Sequence, residues 1–195
     1  MTMKKYLNVI LSVIILILAV EVFYLVYQNR QLKAMVNNMP QMTPLAEGDR
    51  VPMLRAQDID GQLVTLNYGP SEPMTLLFWF SATCSYCAEN FDIWNRLYQE
   101  YDSDILRFMG VCACSPDDAR LLKEEHNFEF PVICVNEPYI ISTYRGNVLP
   151  QTVLISSTGV IKGTWPGALT NEQIDEILTA LADINTSKKE GGDNR

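Results

Sequence analysis

The sequence predicts an α/β sandwich, a mixed sheet flanked by helices, preceded by a single membrane-spanning helix. Three observations predict it. Residues 6–27 (YLNVILSVIILILAVEVFYLVY) form an apolar run whose only charge is Glu21. From Gly48 onward, short apolar runs alternate with segments of helical periodicity, the order that builds parallel strand pairs with crossover helices. Towards the C-terminus two apolar runs flank Ser157-Thr158-Gly159, so the sheet is expected to finish with an antiparallel hairpin.

The chain has 195 residues, enough for one ordinary domain and an appendage. With 48% hydrophobic and 19% charged residues it is neither disordered nor collagen-like. The net charge of −8 is unevenly placed. Residues 1–45 hold Lys4, Lys5, Arg30 and Lys33 against Glu21, a net +3, which leaves −11 on the other 150 residues. An acidic globular part without a Lys/Arg cluster argues against nucleic acid as a partner. One histidine, His126, and five cysteines make a histidine-based metal centre a poor expectation, and sulfur the carrier of any chemistry.

About 21 residues at roughly 1.5 Å each span about 30 Å, the hydrocarbon thickness of a bilayer. Residues 9–20 would also suit a cleavable signal peptide, but residues 21–27 are bulky and aromatic, with no small-x-small site. Residues 6–27 therefore read as an uncleaved anchor in contact with the lipid bilayer, with Tyr24 and Tyr27 at the interface. Lys4 and Lys5 favour a cytoplasmic N-terminus (residues 1–5), opposed in part by Arg30 and Lys33. The globular part is then expected on the extracytoplasmic side, where disulfides persist. Residues 28–47 read as a linker in which the helix breaks near Pro40.

Within residues 48–184, Asp60-Gly61 between two short apolar runs signals a hairpin. Residues 74–80 (MTLLFWF) suit a strand buried on both faces. A helix is expected over 85–101, with Phe91, Trp94, Leu97, Tyr98 and Tyr101 at helical spacing, then a parallel strand over 106–113. Ser115-Pro116-Asp117-Asp118 reads as an N-cap, a proline at the first helical position and early acids, opening a helix that ends near His126. Next come a strand over 131–135, a short helix over 137–144, and strands over 152–156 and 160–165. Thr170-x-x-Gln173 is a capping box for a last helix ending near Ile184, and residues 185–195 read as a disordered tail.

The motif that carries chemistry is Cys84-Ser85-Tyr86-Cys87, where the buried strand gives way to the helix. A helix N-terminus presents free N–H groups and the positive end of the macrodipole, which favour a thiolate on the first cysteine. Three positions on, the second cysteine shares its helical face within disulfide reach. Cys84 is thus expected to be the exposed nucleophile and Cys87 the buried resolving thiol. CxxC alone is weak, since zinc ribbons use it too. A zinc site would need two more ligands; Cys112, Cys114, Cys134 and His126 are available, but a CxC on a strand fits that geometry poorly.

Residues 48–184 resemble the thioredoxin-like superfamily, most of all its membrane-anchored thiol–disulfide oxidoreductases of the TlpA/ResA type. Three stretches carry the resemblance: Leu76-Leu77-Phe78-Trp79-Phe80-Ser81-Ala82-Thr83 leading into the CxxC, Phe130-Pro131-Val132, and Leu149-Pro150-Gln151-Thr152-Val153-Leu154-Ile155 followed by Gly159. The resemblance implies a thioredoxin-like sandwich with Cys84 and Cys87 catalytic and a cis Leu149–Pro150 bond packed against them. Leu149, Pro150, Trp79 and Tyr86 are then the expected substrate-binding residues. It further implies an extracytoplasmic reductase without a bound cofactor or metal, acting through a redox-active Cys84–Cys87 disulfide. Its partners would be a membrane thiol–electron donor and a disulfide-containing envelope protein, such as an apocytochrome c. A dedicated maturation factor for a disulfide-rich enzyme such as methylamine dehydrogenase has a related layout. Copper carriers on this fold use CxxxC with a distal histidine, and a docking module with incidental cysteines is a further class.

The chain departs from the family at Phe78, where many relatives place a polar or acidic proton acceptor six positions before the first cysteine, and at Ser85-Tyr86, which lacks the common proline. Cys112 and Cys114, two apart on a strand, point to one face. They read either as small buried apolar side chains or as auxiliary thiols exchanging with Cys84–Cys87. Cys134 reads as a buried thiol, His126 as the end of a solvated helix, and Trp79–Phe80 as core that meets substrate only at its edge.

Overall fold

A computed structural model of the chain describes residues 2–38, 43–101 and 105–192. It divides into two compact units, Met1–Gln41 and Met42–Arg195. In the first, helix α1 runs over Thr2–Asn38, and within it Val13–Gln31 is long and apolar enough to cross a membrane. The helix continues through residues that read as linker. Gln28 Nε2 donates to Tyr24 Oη (3.2 Å) and Gln31 Nε2 to Tyr27 Oη (2.7 Å), one-turn contacts that support helix beyond the apolar run. Pro40 lies outside the described residues.

The second unit is a seven-stranded sheet in the order β2-β1-β5-β4-β3-β6-β7. Its strands are β1 Leu54–Asp58, β2 Leu63–Leu66, β3 Met74–Phe80, β4 Leu106–Cys112, β5 Val132–Cys134, β6 Gln151–Ile155 and β7 Ile161–Pro166. The central trio β5-β4-β3 is parallel, and every other pair is antiparallel. Gly61, at φ 79°, takes the left-handed position that the β1–β2 turn requires. After β3 comes a single 3-10 turn, Ser85–Cys87, that runs straight into α2, Ala88–Glu100. The remaining helices are α3 Pro116–His126, α4 Pro138–Thr143 and α5 Asn171–Gly192.

The caps form as their residues dictate. Ser115 Oγ accepts from Asp118 N–H (3.2 Å) at the start of α3, and Asn127 closes it in the left-handed region. Thr170 and Gln173 form the reciprocal pair of a capping box (3.0 and 3.3 Å). Helix α5 continues to Gly192, past the Ile184 end that the sequence suggests. No proline or glycine interrupts 185–190, and adding a residue to an existing helix gains a hydrogen bond without a new nucleus.

The strand β3 feeds two cores. Leu76, Phe78 and Phe80 enter a cluster with Phe91, Trp94 and Leu97 of α2, Ala119 of α3, and Ile177 and Leu181 of α5. Leu77 and Trp79 enter the opposite cluster with Leu54, Leu66, Ile133, Val153 and Tyr144. Both faces are therefore covered, which is why the run shows no polar alternation. Helices α2, α3 and α5 share one face of the sheet, and Cys87, Cys112, Cys114 and Cys134 belong to that same cluster.

Candidate active site

Cys84 lies four residues beyond the carboxyl end of β3. The Ser81–Cys84 turn carries it there: Cys84 N–H donates to the Ser81 carbonyl (3.2 Å), and Thr83 N–H to Ser81 Oγ (3.3 Å). Cys84 occupies the N-cap position of the Ser85–Cys87 turn with extended backbone, and Cys87 N–H closes the turn on its carbonyl (3.1 Å). No side chain caps this end. Cys84 and Cys87 form a disulfide, their Cα atoms 5.4 Å apart, inside the range that such bonds require. Their environments differ: Cys84 is half-buried, Cys87 is fully buried, and Tyr86 between them is 67% exposed.

The Leu149–Pro150 peptide bond is cis. Trp79 of β3 is paired with Gln151 of β6, so the next step of that register sets Pro150 opposite Phe80 and Leu149 opposite Ser81. Both residues therefore stand at the sheet edge from which Cys84 emerges. A polar chain fixes this edge to the cysteine-bearing helix. Gly167 N–H donates to the Pro150 carbonyl (2.8 Å), Asn90 Nδ2 of α2 donates to the Gly167 carbonyl (3.1 Å), and Leu169 N–H donates to Asn90 Oδ1 (2.8 Å). Asn90 is fully buried and is the positioning residue that sequence reasoning missed. A polar side chain amid the apolar face of a predicted helix was the only available signal.

Phe78 fills its position with hydrocarbon. Its ring stacks on Trp94 (centroids 4.9 Å apart, planes 11°), and Trp94 Nε1 donates to Thr152 Oγ1 (2.9 Å). The polar residues buried among those described are Thr75, Asn90, Gln151 and Thr152, with no carboxylate in the set.

Trp79 does not join the surface. It is 1% exposed, stacks on Tyr144 (5.8 Å, 14°) and donates from Nε1 to the Gly146 carbonyl (3.0 Å), on the sheet face opposite the cysteines. The structure thus brings Cys84, Cys87, Tyr86, Leu149 and Pro150 to one edge and leaves Trp79 in the core behind it. Cys112 and Cys114 are not free thiols: they too are bonded, with Cα atoms 5.2 Å apart. Cys134 is a free buried thiol, pushed up to about 11 by burial and by nearby Asp58. His126 ends α3 but packs among aromatics, 4.7 Å from the Phe91 centroid, so it is less solvated than its helix-terminal place suggests. Among the described residues no group of three or more Cys, His, Asp or Glu side chains is arranged to hold a metal ion.

A cysteine pair opening a helix beyond a buried parallel strand, with a cis proline leading into the adjacent antiparallel strand at the same sheet edge, defines a thioredoxin-like protein with the dithiol centre of a thiol–disulfide oxidoreductase. Residues 48–164 match the AhpC/TSA family, to which the chain belongs. It is similar to the thiol-disulfide oxidoreductase ResA of Geobacillus thermodenitrificans, 24% identical over 181 residues that cover 92% of this chain and 99% of that protein. Among solved structures it resembles the thioredoxin domain of a thiol-disulfide oxidoreductase from Bacteroides vulgatus (18% identity, 70% of this chain and 99% of that one, TM-score 0.60). It also resembles StoA from Bacillus subtilis (19%, 66% and 98%, TM-score 0.54).

Proposed function

We propose that the chain is a membrane-anchored reductase of disulfides in extracytoplasmic envelope proteins, cytochrome c apoproteins or similar targets, with electrons supplied by a membrane thiol carrier. The observation that carries the reading is the asymmetry of the bonded Cys84–Cys87 pair at the start of a helix: Cys84 half-buried, Cys87 fully buried. Residues 6–27 hold the protein in the bilayer, and the domain lies on the extracytoplasmic side. The likeness to ResA along nearly its full length supports an anchored oxidoreductase.

The mechanism is thiol exchange in two steps. The donor dithiol first reduces Cys84–Cys87. The Cys84 thiolate, favoured by the positive end of the helix dipole, attacks a substrate disulfide and forms a mixed disulfide. Cys87 then attacks Cys84, re-forms the internal bond and releases the substrate as a dithiol. Leu149 and Tyr86 flank the attacked bond. Pro150 has no N–H to compete for sulfur, and the backbone of Leu149 is placed to pair with an extended substrate segment.

Trapping tests this reading. Cys87→Ala cannot resolve the mixed disulfide, so envelope proteins should accumulate in reductant-sensitive complexes with it. Complexes retained when Cys84 is also replaced by Ala would contradict the assignment.

A further inference from the structure

We propose that Cys112–Cys114 is a second redox centre, which takes two electrons from the reduced Cys84/Cys87 pair and returns them. The proposal rests on the reading of Cys84–Cys87 as the primary dithiol. Three observations carry it. The first is location. Cys112 at the end of β4 pairs in register with Phe80 at the end of β3, and Ala113 N–H continues the ladder to the Phe80 carbonyl (2.8 Å). Cys84 lies four residues past Phe80 and Cys114 two residues past Cys112, so both pairs stand at the carboxyl edge of adjacent parallel strands. Cys84 packs against the side-chain cluster that contains Cys87, Cys112 and Cys114.

The second observation is that this cross-link has almost nothing to hold together. It joins residues two apart, so it closes a minimal loop and removes little entropy from the unfolded chain. The strand end is already fixed by Val135 N–H donating to the Cys112 carbonyl (2.8 Å), and the next helix by the Ser115 cap. The third is access. Cys112 is fully buried and Cys114 only 7% exposed, so a folded protein partner cannot reach them. Their exchange partner has to lie on this chain, and Cys84 is the reactive sulfur at that edge. Cys134 sits in register beside Cys112, but it is a single thiol kept protonated by burial.

The exchange balances within the molecule. The Cys84 thiolate attacks Cys114 Sγ; the Cys112–Cys114 bond breaks, and its electron pair leaves on Cys112 Sγ, which takes a proton. The Cys87 thiolate then attacks Cys84 Sγ, re-forming the Cys84–Cys87 bond and expelling Cys114 as a thiolate that takes the second proton. The outer pair is oxidised and the inner pair reduced. A second dithiol from outside recharges the outer pair, so the chain holds four electrons, and discharge runs the same steps in reverse.

The test counts electrons. The full chain in detergent micelles is reduced with excess dithiothreitol, desalted without air, and mixed with excess of a peptide bearing one intramolecular disulfide. The proposal predicts about two peptide disulfides reduced per chain, falling to about one in Cys112→Ala/Cys114→Ala. One per wild-type chain overturns the second centre and leaves the primary dithiol standing; none overturns both. A second measurement needs no turnover: on oxidation, Cys87→Ala/Cys112→Ala should yield a Cys84–Cys114 linked peptide by mass spectrometry. A Cys84–Cys134 link, or none, overturns the relay.

Discussion

Cys84, Cys87 and Cys134 are chemically identical side chains that their surroundings assign to different fates. Cys84 is half-buried at the N-cap of a helical turn, and Cys87 is fully buried. Cys134 is held as a thiol, its pKa raised from 9.0 to about 11. Cys134 should therefore resist iodoacetamide at pH 8 in the folded protein and react once guanidinium unfolds it; prompt labelling of the native chain would contradict this. The raised pKa also sets the sign of a pH effect. The unfolded thiol loses its proton near 9 and the folded one only near 11, so the unfolded state gains from rising pH in that window. Stability should fall between about pH 9 and 11, and Cys134→Ala should flatten that part of the curve. The CxxC was legible in the sequence because its chemistry depends on spacing within one turn. The fate of Cys134 was legible only as burial, since Asp58 comes close through the β1–β5 pairing.

Elements are joined at the site by contacts that sequence distance conceals. Asn90 reaches Gly167 and Leu169 across separations of 77 and 79 residues, so nothing local marks it. Asn90→Ala would strip partners from a carbonyl and an N–H and should destabilise the domain by about 2–4 kcal/mol, measured by guanidinium titration. It should also slow disulfide reduction, because the Pro150 strand loses its tie to α2. A loss of stability without any loss of rate would limit Asn90 to a structural role. The other face offers a comparable test. A methyl at Gly146 would overlap the Trp79 indole, which is itself anchored on the Gly146 carbonyl. Gly146→Ala should cost about 1–3 kcal/mol by overpacking. The β1–β2 hairpin and the helix caps were readable from Asp60-Gly61, Ser115 and Thr170–Gln173, whose signals are local. The orientation of Trp79 was not, because a strand covered on both faces carries no polar alternation to show which face each residue takes.

The molecule combines an apolar N-terminal helix with an acidic sulfur-bearing domain. The apolar run was plain in the sequence, and Pro40 marks where the helix is expected to break; α1 runs over Thr2–Asn38, with one-turn contacts from Gln28 and Gln31 beyond the apolar run. The proposed anchoring predicts retention in the membrane through high-salt and carbonate washing, with Cys84 labelled by an impermeant thiol reagent from outside after reduction. Release into the soluble fraction would contradict the anchor, and labelling from the cytoplasmic side alone would contradict the orientation. Exchange at Cys84 is the claim on which the rest depends. The most direct measurement is insulin reduction by the full chain in detergent micelles, with dithiothreitol as donor. The wild-type chain should accelerate precipitation of the insulin B chain, and Cys84→Ser should return it to the rate of dithiothreitol alone. A wild-type chain no faster than dithiothreitol, or a Cys84→Ser variant as fast as wild type, would contradict the claim.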